Sequence, residues 1–220
     1  MQNEINSGDR LFSPKNTVQA FSLYFTCAVL IAVVAFFFWC YFIPVKGDSM
    51  ENTVFDGHYC LVQRRSFELD RGDIAIIDTA IGNEEEHIVI KRIIGLQGDK
   101  ILFMRSADGK TVELYICKNG EKSFKKLDEP YIKEQMLPDD KNPSHNVFVQ
   151  KNGDIIKIVN HIANIESIDI SEMPTLQSFT ITVPENSIYF LGDNRNVSRD
   201  SRYYGSCRLT SVKAKVLLTL

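Results

Sequence analysis

From Phe21 to Ile43 the chain runs for about 23 residues without a charged side chain, and its centre reads Ala28-Val-Leu-Ile-Ala-Val-Val-Ala-Phe-Phe-Phe-Trp-Cys-Tyr-Phe42. As a helix rising about 1.5 Å per residue, this stretch is roughly 34 Å long, enough for a hydrocarbon core of about 30 Å. It is apolar on every side, which at this length argues against a buried helix of a soluble protein. Tyr24, Trp39 and Tyr41 fall toward its ends, where amphipathic rings favour the lipid–water interface. A cleaved secretory signal has a shorter apolar region followed by an Ala-x-Ala site, and none follows here. The stretch reads as a retained transmembrane helix over 21–43, preceded by a short tail at 1–20. Basic residues near the span, Arg10 and Lys15 before it and Lys46 after, are too evenly placed to orient it.

After Lys46 the texture changes to short runs rich in β-branched residues, broken by turn signals. Gly57–Gln63, Asp73–Asp78 and His87–Ile94 have strand length, and Asp108-Gly109, Asn119-Gly120 and Asn152-Gly153 are two-residue hairpin signals. No helical periodicity of about twelve or more residues follows the span. The fold class is therefore mainly β: one N-terminal membrane helix, then a largely antiparallel core over 44–104 and 180–220. The more polar segment 105–179, with its charge-dense Glu121–Glu134 and loop-like Leu137–Ser144, reads as an inserted subdomain. A net charge of −3 supplies no basic field, which argues against a nucleic-acid partner.

Five cysteines without C-x-x-C spacing indicate neither a disulfide framework nor a zinc site, and a bridge among Cys60, Cys117 and Cys207 stays open. His58, His87, His145 and His161 show no metal-ligand spacing and no Ser-His-Asp pattern. Asp73 and Asp99 follow glycines at strand ends and read as turn residues.

Three segments could carry chemistry. Ser49, in Gly47-Asp-Ser-Met50, follows Ile43 by six residues, at most about 20 Å of chain, so whatever it does happens near the bilayer. Read alone, it is more simply a turn serine. Lys91 lies in Ile88-Val-Ile-Lys-Arg-Ile-Ile-Gly-Leu96, where one of two adjacent cations must point inward or sit at a sheet edge. Burial lowers a lysine pKa and makes the neutral amine a base able to activate a serine hydroxyl, whereas an edge lysine merely discourages aggregation. The polar loop Gly192–Gly205 could hold Ser198 against such an amine, with Asp200 paired to Arg195 or Arg202.

Together these segments resemble the type I signal peptidases, membrane-anchored Ser/Lys endopeptidases. The resemblance rests on Gly47–Met50, Arg71-Gly-Asp-Ile74, Lys91–Asp99, Leu127-Asp-Glu-Pro-Tyr-Ile-Lys-Glu134, Gly192-Asp-Asn-Arg195 and Asp200-Ser-Arg-Tyr-Tyr-Gly205, in that order. It implies Ser49 as nucleophile, Lys91 as general base, Ser198 orienting the amine, Asp200 and Arg202 as a supporting ion pair, and the Ser49 N–H in an oxyanion hole. It also implies small-residue substrate pockets near Val45, Met50, Val54 and Ile90, no metal or organic cofactor, and signal-peptide-bearing preproteins as substrates. The implied location is the cell membrane, with a single span, residues 1–20 cytoplasmic and the catalytic domain on the extracytoplasmic face. The chain departs from the family pattern at Asn52, Val54 and Gln97, and Gly47 stands where some members carry a hydroxyl for the oxyanion. A second class is a non-catalytic, membrane-tethered β module or inactive relative acting in surface-protein assembly. Self-cleaving Ser/Lys regulators of the DNA-damage response are a third, but they carry a DNA-binding region in place of a membrane span.

Overall fold

The computed structural model describes residues 14–51, 53–64, 66–79, 88–137 and 178–220. Outside the described residues lie most of the expected tail and insert, the Asn152-Gly153 signal, Asn52, His87, His145 and His161. Two compact units divide the chain, Met1–Tyr41 and Phe42–Leu220.

The first unit contains helix α1, Pro14–Trp39, whose segment Thr17–Trp39 is long and apolar enough to cross a membrane. It starts before and ends before the expected 21–43. Residues 40–43 instead open strand β1, Cys40–Pro44, and Pro44 lacks the N–H a continuing helix would need. Ten residues rather than six therefore separate the helix end from Ser49.

The second unit is built on two antiparallel sheets. In the first, the strands are β1, β2 (Tyr59–Gln63), β3 (Ile74–Asp78), β4 (Ile88–Leu96), β9 (Ser187–Leu191), β10 (Cys207–Arg208) and β11 (Val212–Thr219). Their spatial order is β1-β2-β11-β3-β4-β9-β10. The second sheet runs β7-β6-β5-β8, from β5 (Lys100–Arg105), β6 (Val112–Cys117), β7 (Lys125–Lys126) and β8 (Ser178–Thr182). It thus begins and ends a few residues outside the expected insert. A short helix, α2 (Ser201–Tyr204), follows the polar loop.

Of the hairpin signals, Asp108-Gly109 lies in a longer loop in which Ser106 N donates to Thr111 O at 2.9 Å, so the turn is not the two-residue type. Asp108 Oδ1 accepts there from Ser106 Oγ and Lys110 N, bonds a tight I′ turn does not supply. Asn119-Gly120 falls between β6 and β7.

Strand β4 connects the sheets. It pairs with β3 through Lys91↔Ala75 and with β9 through Arg92↔Leu191, and the β9 register slips between Ile93 and Gly95. A Cβ on Gly95 would lie 2.8 Å from Ile101 Cδ1, so the glycine leaves room for that side chain where the bent strand approaches the second sheet. Ile94, Ile101, Phe103, Leu114, Tyr189 and Leu191 fill the space between the sheets. Ile77, Ile93, Ile188 and Phe190 pack the other side of β4 and β9. The β4–β5 turn closes on Asp99, fully buried, whose carboxylate accepts from Arg71 Nε (2.6 Å) and Nη2 (2.7 Å), Leu96 N (2.9 Å) and Asn119 N (2.9 Å). Asp73 is likewise a turn residue, accepting from Asp70 N at 2.6 Å.

Candidate active site

The segment after β1 turns sharply at Gly47 (φ +89), whose N–H donates to Asp56 Oδ1 at 2.7 Å. A tight turn follows, in which Thr53 N and Val54 N both donate to Met50 O, at 2.8 and 2.7 Å. Met50 is fully buried, so Ser49 beside it is fixed at the turn's crest. The loop after β9 clamps this turn: Asn194 N donates to Ser49 O (3.1 Å), Asn194 Nδ2 to Asp48 O (3.1 Å), and Asp193 N to Met50 Sδ (3.3 Å).

Lys91 reaches the same point from the middle of β4. It is 3% exposed, and its Nζ lies 2.6 Å from Ser49 Oγ and 2.9 Å from Ile90 O. Because β4 has a neighbour on each side, the edge-lysine reading is excluded, and Arg92 is buried as well. Burial lowers the Lys91 pKa to about 8, with Asp200, Asp193 and Asp48 pulling it up and Arg202 pulling it down.

Asp200 pairs with Arg202 rather than Arg195, through Nε–Oδ1 (2.8 Å) and Nη2–Oδ2 (2.9 Å), both residues buried. Asp200 also accepts from Gly192 N at 3.0 Å and caps α2 by accepting from Arg202 N. Burial favours its neutral form, but Arg202 and these N–H groups outweigh that and hold the carboxyl below the usual range.

Ser198 is buried, but its Oγ has no hydrogen-bond partner; it packs over Gly192. A Cβ at Gly192 would strike Ser198 Oγ and lie 2.5 Å from Ser49 O. Val45, Met50, Val54 and Ile90 are all buried, and Met50 is engaged by Asp193. All five cysteines are free. Among the described residues no group of three His, Cys, Asp or Glu side chains is placed to hold a metal.

Sequence reasoning missed a second cluster. Arg92 forks onto Asp193, Nε–Oδ1 at 2.8 Å and Nη2–Oδ2 at 2.6 Å; Thr53 Oγ1 donates to the same carboxylate, and Tyr131 stacks on the guanidinium. Arg195 pairs with Glu129. The signal was the second cation of Lys91-Arg92 and the Leu127–Glu134 motif, to which no role had been attached.

This arrangement, a serine hydroxyl against a buried amine of lowered pKa, suits acyl transfer by nucleophilic attack. The model of the family described as "Signal peptidase, peptidase S26" matches residues 18–220. Signal peptidase I of Streptococcus pneumoniae (strain R6) is 30% identical over 203 residues, 90% of each chain. Signal peptidase IB of Staphylococcus aureus is 29% identical over 175 residues, 78% of this chain and 73% of its own. A solved signal peptidase I from Enterococcus faecalis is 24% identical with a TM-score of 0.37, covering 70% of this chain and 100% of that one.

Proposed function

The chain belongs to the signal peptidase family, peptidase S26, and on that footing we propose that it removes N-terminal signal peptides from exported preproteins. Ser49 is the nucleophile and Lys91 the general base. The observation that carries this reading is the 2.6 Å separation of Lys91 Nζ and Ser49 Oγ, with Lys91 almost wholly shielded from solvent.

Neutral Lys91 takes the Ser49 proton as Oγ attacks the scissile carbonyl carbon. The Ser49 N–H helps to stabilise the oxyanion. The ammonium then protonates the departing amine, leaving an ester on Ser49. Lys91, neutral again, takes a proton from water as it attacks that ester, and collapse of the second tetrahedral intermediate returns the proton to Oγ. Asp200–Arg202 holds the loop that clamps Ser49. Ser198 brings a buried hydroxyl with no partner of its own, which a bond to the Lys91 amine would satisfy. Val45, Met50, Val54 and Ile90 give the apolar surroundings for small side chains ahead of the cut.

Helix α1 anchors the enzyme in the cell membrane, with the chain ahead of Thr17 cytoplasmic and the catalytic unit on the extracytoplasmic face. There it meets preproteins held in the bilayer by their own signal sequences. The test is cleavage of a signal-peptide-bearing preprotein by detergent-solubilised enzyme. Ser49→Ala and Lys91→Met are each expected to lower kcat at least about a thousandfold. Near-normal processing by either variant sinks the assignment.

A further inference from the structure

The two carboxylates nearest Lys91 in the loop after β9 are each neutralised by an arginine, and both arginines touch one short segment, residues 129–137. Arg92, forked onto Asp193, has its Cζ 3.9 Å from the centroid of the Tyr131 ring. Arg202, forked onto Asp200, has Nη1 3.2 Å from Met136 Sδ. Glu129 accepts from both terminal nitrogens of Arg195, whose Nε donates to Gly192 O at 3.0 Å. Tyr131 Oη donates to Glu129 at 2.9 Å, tying the two contacts together. Asn196 closes the clasp, accepting from Leu137 N (3.0 Å) and donating to Gln135 O (3.1 Å).

We propose that Tyr131 and Glu129 are positioning residues for the Ser49–Lys91 pair, acting through Arg92 and Arg195 to hold the Gly192–Arg202 loop against the nucleophile turn. This rests on the Ser49/Lys91 reading above. The chain of cause is short. Asp193, which Arg92 holds, bonds Thr53 and Met50, and the next residue bonds Ser49 O. A guanidinium covered by an aromatic face is kept from water, and in that lower-dielectric setting its attraction to a carboxylate is stronger. Uncovering Arg92 loosens Asp193 and lets the turn that presents Ser49 drift.

The amine registers the same change. Lys91 faces Asp48 from the nucleophile turn, Asp193, Asp200 and Arg202 from the loop, and on its own strand Arg92, which neutralises Asp193. If Arg92 releases Asp193, that carboxylate's field favours the charged amine, and water entering the site does the same. The acid limb of the rate profile then moves to higher pH.

The test uses the full-length chain in detergent, with kcat and KM for one preprotein measured across pH and Ser49→Ala as the inactive reference. Tyr131→Leu is expected to lower kcat about tenfold or more, since small misplacements of reacting atoms cost that much, with KM changed less than about twofold. Its acid limb moves to higher pH. Tyr131→Phe, which keeps the ring, stays within about threefold of the parent with its limb in place, and Glu129→Gln loses kcat as Tyr131→Leu does. Should Tyr131→Leu fail to fold, Glu129→Gln decides alone. Variants that lose only thermal stability, keeping kcat and the acid limb of the parent, overturn the proposal while the dyad stands. An active Ser49→Ala overturns both.

Discussion

Lys91 has an ordinary pKa near 10.5, and at that value about one amine in a few thousand would be neutral at pH 7. Burial brings it to about 8, so the neutral fraction becomes about one in ten. If the amine is the base, kcat climbs with pH through about 8 and levels off, and at pH 6 it is down about a hundredfold from the plateau; a profile flat from pH 6 to 9 refutes this. The same residue costs stability. At pH 7 the amine is largely protonated in both folded and unfolded chains, and the fold carries the cost of the buried charge. As pH rises through about 8 the folded amine loses its proton while the unfolded one keeps it to about 10.5, so stability rises across that window. Lys91→Met is therefore expected to melt higher than the parent at pH 7, by up to about 3 kcal/mol less the lost hydrogen bonds, with the gain shrinking toward pH 10. Gly192→Ala puts a methyl into Ser198 Oγ and the Ser49 carbonyl, and should cut kcat by about a hundredfold with a smaller fall in Tm. Apolar residues on both sides of Lys91 made that lysine legible, and Ser49 became so only through several motifs in order. Glu129 and Tyr131 were not legible. An acid and a tyrosine in a charge-dense stretch read as solvated, and what covers them is a pair of arginines distant in sequence.

Strand β4 shows what an element adds beyond its residues. It supplies Lys91 and Arg92 to the site, carries core side chains on both sides, and ends in the turn locked by Asp99. That turn lets the loss of a buried ion pair be separated from a loss of chemistry. Asp99→Ala orphans Arg71 and two backbone N–H groups, and is expected to destabilise by about 3–5 kcal/mol in a denaturant melt. At temperatures where the variant is still folded, its kcat should stay within about threefold of the parent, because Asp99 contacts neither Ser49 nor Lys91. Strands β3 and β4 were readable because β-branched runs of five to nine residues have few other places to go. Boundaries were less so. A run apolar enough for lipid does not itself say where helix gives way to strand, and it was Pro44 and sheet pairing that ended the helix at Trp39.

At the scale of the molecule, the order of strands in space departs from their order in the chain. Strand β11 lies between β2 and β3, pairing with each. The turn that carries Ser49 is joined to β2, and Lys91 reaches β3 through β4. No periodicity in the sequence announces this insertion, since β11 pairs with strands more than a hundred residues upstream. A chain ending at Ser211 is expected to lose all measurable cleavage. Full activity in such a truncated protein would show that the central strand is dispensable.

A peptidase that emerges from the ribosome beside its own apolar N-terminal segment risks cutting itself or its neighbours before it is finished. Here the stretch from Gly192 that grips Ser49, and after it the strand that welds the two halves of the sheet, are made later than either partner of the hydroxyl–amine pair. On the Ser49/Lys91 reading proposed above, the nascent polypeptide would carry both groups before the segments that align them exist, and would gain activity only once translation had passed Lys91 by more than a hundred codons.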